Sequence, residues 1–371
     1  MNKKLISALI AVTLAIPTTA HAAGLKNRTG STPSIAILDT AIDTSLPAFQ
    51  GKIIQEVCIL EWTTCPNGQS FMEGPGAASM PASLIIKNGF DHGTFMTSVF
   101  LRTNPNVNVV FIKIIGHTTL GLRQNAGEAS VYNALRWVKA NASKYNIQAV
   151  SMSQGHHNLG SGDYCPKTPT TTQAIKDLNA IQVPVFFPSG NGRDYQRIDW
   201  PACLDESISV GHVDQINEIA VSANNDSVKL DFFAPGFFTV AGPGNVLKNI
   251  SGSSSAAQVA AANWISYKSS NPNSTYEQIL NAFRQTAVTT VGRQGKFNKL
   301  IDLNKALQFV QAPTSPTQAE LDAQKAAQLL ALKADVDAQI AKAEAEYQAS
   351  VKAAADKLAA FKALQLARLN G

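Results

Sequence analysis

Four short segments hold residues whose types could do chemistry together. Asp39 closes Ser34-Ile35-Ala36-Ile37-Leu38-Asp39. His92 lies in Phe90-Asp91-His92-Gly93-Thr94. Asn191 ends Phe186-Phe187-Pro188-Ser189-Gly190-Asn191, and Ser254 sits in Gly252-Ser253-Ser254-Ser255-Ala256-Ala257. A serine hydroxyl becomes a useful nucleophile when a neighbouring base takes its proton. Imidazole is such a base, and a carboxylate accepting from Nδ1 fixes its tautomer and stabilises the imidazolium formed on the way. A carboxamide can donate to the oxyanion that an attacked carbonyl becomes. The set spells acyl transfer: Ser254 attacks, His92 is base and then acid, Asp39 orients His92, and Asn191 donates to the oxyanion. Three adjacent serines leave the register open, with Ser253 and Ser255 as the alternatives to Ser254. Taken singly, each residue has a plainer role. A loop aspartate forms turns, Asn191-Gly192 is a turn pair, and a serine run caps helices.

Such groups need a scaffold that brings distant segments to one edge. Ile35–Leu38, Val109–Ile115, Ala149–Ser153, Val183–Phe187, Ser207–Val213 and Val228–Phe233 read as strands. Several are unbroken Ile/Val/Phe runs, as in parallel sheets buried on both faces. Helical patterns lie at Ala126–Tyr145, Thr171–Ile181, Ser255–Ser269, Thr275–Ala287 and Leu303–Val310, with a short helix from Phe95. Strands alternating with helices predict an α/β, doubly wound, mostly parallel sheet. Segments 66–82, 156–170 and 234–249 read as surface loops. Asp39 follows its strand directly, at the carboxyl edge where α/β sites form.

The order Asp, His, Ser is that of subtilisin, and at these motifs the chain resembles the subtilisin-like serine peptidases, the subtilases, over roughly Pro33 to Val310. His92-Gly93-Thr94 is similar to the family's His-Gly-Thr. Asp39-Thr40 matches its Asp-Thr/Ser-Gly, with Ala41 in place of Gly. Gly252 to Ala257 overlies Gly-Thr-Ser-x-Ala-x, with Ser253 for Thr and Gln258 for the Pro that follows. Asp231-Phe232-Phe233-Ala234-Pro235-Gly236 resembles the stretch ahead of the nucleophile. The resemblance implies a subtilisin-like fold and a serine endopeptidase acting on polypeptides, with Asp39, His92 and Ser254 as triad and Asn191 in the oxyanion hole. It also implies that Ser153, Gln154 and Gly155, in a segment similar to Asn-Met-Ser-Leu-Gly, form one wall of the P1 pocket and that Pro188 stands in the other. Gln154 replaces an apolar residue there, which unsettles a large-apolar P1 preference. The family usually carries a propeptide; about ten residues between the cleavage site and the first strand leave no room for one. The chemistry requires no cofactor and no metal is indicated; the sequence leaves structural calcium open. Two rival readings are a catalytically impaired binding protein on the same fold and an envelope structural protein organised by the tail.

Residues 1–22 read as a signal peptide: Lys3 and Lys4, an apolar run from Leu5 to Ile16, and Ala20-His21-Ala22 as a cleavage site. This predicts an exported chain, extracellular or periplasmic. Cys58, Cys65, Cys165 and Cys203 are an even set, which suggests two disulfides in an oxidising compartment. Of three connectivities, Cys58–Cys65 with Cys165–Cys203 is favoured, because the first pair brackets a short Pro/Asn/Gly turn. The net charge is +5 over 371 residues, without a dense basic block beyond the leader, which argues against nucleic acid as a partner.

The peptidase-like region is expected over 23–311 and a Pro-containing linker over 312–316. From 317 to 371 the composition turns to Ala, Leu, Lys, Gln, Glu and Asp, mostly strong helix formers. Val336, Ile340, Ala343, Tyr347, Ala354, Leu358 and Phe361 fall along one face. A helix of that length, roughly 80 Å at about 1.5 Å per residue, calls for a partner, either another helix or its own hairpin. A coiled-coil tail serving self-association or envelope contact is the expectation.

Overall fold

The computed structural model describes residues 32–117, 123–156, 165, 168–225, 228–309 and 318–369. The leader and the linker 312–316 lie outside the described residues. The strands are β1 (Ser34–Asp39), β2 (Ile53–Ile59), β3 (Phe71–Glu73), β4 (Asn108–Lys113), β5 (Ile147–Met152), β6 (Val185–Pro188), β7 (Ile208–Val213), β8 (Phe232–Pro235), β9 (Phe237–Ala241), β10 (Leu247–Ser251), β11 (Val288–Gly292) and β12 (Gly295–Leu300). The helices are α1 (Ala82–Asn88), α2 (His92–Thr103), α3 (Glu128–Tyr145), α4 (Pro169–Ala180), α5 (Ser253–Ser270), α6 (Tyr276–Thr286), α7 (Leu303–Gln308) and α8 (Gln318–Leu369). Two compact units divide the chain, Met1–Phe309 and Val310–Gly371.

Among the described residues one large sheet runs β11-β12-β8-β7-β6-β5-β1-β4-β2-β3. Pairing is parallel from β12 through β2 and antiparallel at the two edge pairs, β11–β12 and β2–β3. The centre of the sheet explains the unbroken apolar runs. Successive side chains of a strand face opposite ways, and both faces are covered here. Ala36 and Leu38 of β1 join Val110, Ile112, Val150 and Met152 in a core with Val131, Leu135 and Val138 of α3 and Ile175 of α4. Ile35 and Ile37 join Val109, Phe111 and Phe186 in the opposite core, with Val99 of α2 and Ala256, Ala260 and Trp264 of α5. The small residues of α5 let it lie close on the sheet; its Ala256, Ala257, Ala260 and Ala261 are fully buried.

Local details depart from the sequence reading. Segment 234–249 holds strands: β9 and β10 pair as a hairpin around Gly242 and Pro243, residues that in the sequence read as loop punctuation. The strand expected from Val228 begins at Phe232, and exposed Val228 precedes it. The helix expected from Phe95 begins at His92. Its first turn is polar and contains Gly93, so the helical period is hidden there. That glycine is required: a Cβ on it would lie 2.5 Å from Ala41 O and 2.6 Å from Phe111 Cζ. Both disulfides are formed, Cys58–Cys65 and Cys165–Cys203, and no cysteine is free.

The second unit is α8, a continuous helix. Ile340, Tyr347, Leu358 and Phe361 on it are exposed. Among the described residues no helix is long and apolar enough to cross a membrane.

Candidate active site

Parallel strands β1, β5 and β6 all deliver their carboxyl ends to one edge of the sheet, and the candidate residues stand there. Asp39 is the last residue of β1 and fully buried. His92 is the first residue of α2, its side chain 25% exposed. His92 Nδ1 lies 2.9 Å from each Asp39 carboxylate oxygen. Thr40 sets this spacing. Its hydroxyl donates to Phe90 O at 2.8 Å and accepts the Gly93 N–H at 3.0 Å, tying the end of β1 to the start of α2. The Thr40 N–H also donates to Asp39 Oδ1 at 2.7 Å. The sequence placed Thr40 in a motif without giving it this work.

Ser254 is the second residue of α5, and the three adjacent serines differ sharply. The Ser253 hydroxyl is fully buried; it donates to Asn191 Oδ1 at 3.1 Å and accepts the Gly190 N–H at 3.1 Å. Ser255 is 1% exposed. Ser254 is half-buried. Its hydroxyl donates to Ser153 O at 3.2 Å, so the bond from Ser254 to His92 is not made in this state. The Ser254 N–H lies in the first turn of α5, where helix N–H groups lack intrahelical acceptors and the helix dipole favours negative charge.

Asn191 follows β6 in a turn held by Asn224, whose Oδ1 accepts the Gly192 and Asp194 N–H groups at 2.7 and 3.1 Å. Gly190 enters that turn at φ +106, and a Cβ there would lie 2.3 Å from Asn224 Nδ2. Asn191 Oδ1 accepts both the N–H and the hydroxyl of Ser253, at 3.0 and 3.1 Å. The carboxamide is thereby fixed, and it lies against Gly252: a Cβ there would stand 3.1 Å from Asn191 Nδ2 and 3.3 Å from its Oδ1.

The strand end Ser153-Gln154-Gly155 follows β5. The Ser153 hydroxyl donates to Ser254 O at 2.9 Å and accepts from Gln258 Nε2 at 2.9 Å. Gln258 is fully buried one turn below Ser254, so the residue standing where the family has Pro ties α5 to this strand. Pro188, the last residue of β6, is partnered in register with Val210 of β7. The Gln154 side chain, which the resemblance implies for the P1 wall, lies against Asp39 and His92.

Under the site lies Lys113, the end of β4 and the register partner of Asp39. Its buried ammonium donates to Thr40 O at 2.9 Å and Ile115 O at 2.6 Å and sits 3.7 Å from the Phe90 ring centre. Burial pulls its pKa down to about 7, and the Asp39 carboxylate opposes that pull. Burial likewise holds His212 neutral, with a pKa near 4; it lies on β7, and its Nε2 is 3.1 Å from Ser222 Oγ. Among the described residues no cluster of His, Cys, Asp or Glu is gathered to hold a metal ion.

The family model described as the subtilase family matches residues 30–315. The chain belongs to the subtilases. It is 27% identical over 277 residues to Subtilisin Savinase of Lederbergia lenta, across 73% of this chain and 87% of that protein. It is equally similar, at 27% over 277 residues, to an alkaline protease of Alkalihalobacillus alcalophilus, of whose length it spans 62%. Among solved structures, a protease of Pseudoalteromonas arctica superposes with a TM-score of 0.59 at 19% identity, over 76% of this chain and 90% of that one. That likeness concerns the fold, a subtilisin-like, mostly parallel sheet flanked by helices.

Proposed function

We propose that this subtilase is an exported serine endopeptidase that cleaves polypeptides through an acyl-enzyme on Ser254. The observation that carries the reading is the Asp39–His92 pair, with both oxygens 2.9 Å from Nδ1, at the same sheet edge as the half-buried Ser254. Ser254 Oγ adds to the peptide carbonyl while its proton passes to His92 Nε2. The oxyanion is held by the Ser254 N–H and the Asn191 NH2. Collapse breaks the C–N bond as His92 returns the proton to the leaving amine. Water then repeats the sequence on the ester and frees the acid. Two disulfides fit an oxidising compartment and hence export. The test is hydrolysis of casein by the purified protein, together with mass mapping of a fluorophosphonate label. Label on Ser254 is the expected result. A folded protein that takes no label would instead be a binding protein on this fold.

Asn191→Ala should lower kcat about 10²–10³-fold with KM little changed. The oxyanion exists only after attack, so its donor acts on the transition state and not on bound substrate. Steady-state kinetics on a peptide substrate check this. An unchanged kcat would mean that another group fills the hole.

The exposed apolar residues of α8 favour a second role for that unit, association with another copy of the chain. A chain ending at Phe309 should keep peptidase activity and sediment as a monomer, whereas the full chain forms a larger species. Equal sedimentation of the two would rule this out.

A further inference from the structure

Gln154, which the family resemblance implies for the P1 wall, turns its carboxamide toward Asp39 and His92. Its Nε2 is 3.0 Å from Asp39 Oδ1 and 2.9 Å from His92 Nδ1. At its other end, Arg123 Nη2 donates to Gln154 Oε1 at 2.9 Å. This second contact settles which way the carboxamide points. A guanidinium can only donate, so the oxygen must face Arg123 and the NH2 must face the carboxylate. An NH2 group accepts nothing, and a proton must lie between His92 Nδ1 and the two Asp39 oxygens that flank it at 2.9 Å. Gln154 and His92 are therefore parallel donors to one carboxylate, lying edge to edge.

Asp39 is fully buried, and its acceptor sites are filled from three directions: the Thr40 N–H, the Gln154 NH2 and the His92 Nδ1–H. The first two donors both fall on Oδ1. Together they stop the carboxylate from rotating about its Cβ–Cγ bond. That rotation would take Oδ2 away from Nδ1 and release the imidazole. The NH2 group also stands 2.9 Å from Nδ1, against the edge of the ring. Gln154 thus reaches the reaction only through the two residues it holds.

We propose that Gln154 is a positioning residue of the Asp39–His92 pair, itself oriented by Arg123, and not a determinant of the P1 pocket. This rests on the peptidase reading only for its kinetic consequence. Gln154→Met keeps the length and removes the donor. It should lower kcat about 10- to 100-fold while KM stays within about twofold, the signature of a hydrogen bond to a charged acceptor that matters in the transition state. Arg123→Met should act in the same direction but more weakly. Adding it to Gln154→Met should cost little more, because the two act through one carboxamide.

The deciding measurement needs no activity. Nitrogen-15 histidine labelling, with His92→Asn for assignment, reads hydrogen bonding and tautomer at His92 Nδ1 in the full-length protein. Gln154→Met should move the Nδ1 resonance. Gln154→Glu, which sets a second carboxylate against Asp39, serves the same reading if the methionine variant does not fold. A Nδ1 resonance unmoved by either substitution overturns the proposal, as does an effect confined to KM or to P1 preference. A moved resonance in a protein that hydrolyses nothing would keep the positioning role and reject the peptidase reading.

Discussion

Ser254→Ala is expected to lower kcat by roughly 10⁶ with KM almost unchanged. The size follows from what the substitution removes. Without Oγ no acyl-enzyme forms, and what remains is the oxyanion hole and substrate binding, which together still give about 10³–10⁴ over water. Neither neighbour can take over. The Ser253 hydroxyl is bonded to Asn191 Oδ1 and the Gly190 N–H, and Ser255 is turned into the core under α5. Folding should survive. Alanine suits the first turn of a helix at least as well as serine, and the lost bond to Ser153 O is a neutral one worth about 1 kcal/mol. Kinetics on a peptide substrate, with thermal unfolding in parallel, check the expectation. Activity within tenfold of the parent would place the nucleophile elsewhere in the serine run.

Asp39→Asn should cost about 10⁴ in kcat, again with KM retained. The reason lies in the donors around Oδ1. The Thr40 N–H at 2.7 Å and the Gln154 NH2 at 3.0 Å both require an oxygen there. An asparagine must therefore place its own NH2 where Oδ2 now stands, against His92 Nδ1. Nδ1 then accepts instead of donating, the ring proton moves to Nε2, and Nε2 can no longer take the proton of Ser254. The variant should keep its fold and bind substrate while labelling far more slowly with fluorophosphonate. A loss smaller than tenfold would show that His92 does not depend on this tautomer.

Residue type and flanking sequence made Asp39, His92, Asn191 and Ser254 legible as candidates, because each stands at a strand end or a helix start that local pattern also marks. The alternation of strands and helices came from burial on both faces of the sheet, which writes itself into the chain as unbroken Ile/Val/Phe runs. What local pattern could not carry was the direction of side chains that act across the fold. Gln154 meets Asp39 over a separation of 115 residues, and Gln258 meets Ser153 over 105. A glutamine in the P1-wall segment looks the same in sequence whether it faces substrate or the carboxylate behind it. The serine register had the same difficulty. Three identical residues in a row separate only when the helix turns two of them inward. The β9–β10 hairpin is hidden in the sequence because its turn residues outweigh two short strands.

On the peptidase reading, the hydrogen bond from Ser254 to Ser153 O would divide the resting molecule between this rotamer and one turned to His92. A neutral bond contributes about 1 kcal/mol net, a factor of about five at 25 °C, so with nothing else separating the rotamers about one molecule in six holds its hydroxyl free for His92. Such partitioning lowers the observed rate by at most roughly sixfold, which is slight beside the 10⁶ at stake in the nucleophile itself. A peptide laid along Ser153 to Gly155 would donate its own N–H to that carbonyl and draw the population toward the reactive rotamer. The fraction of competent molecules would then rise as the cleft fills, so that occupancy of the cleft, and not a separate activating event, readies the serine.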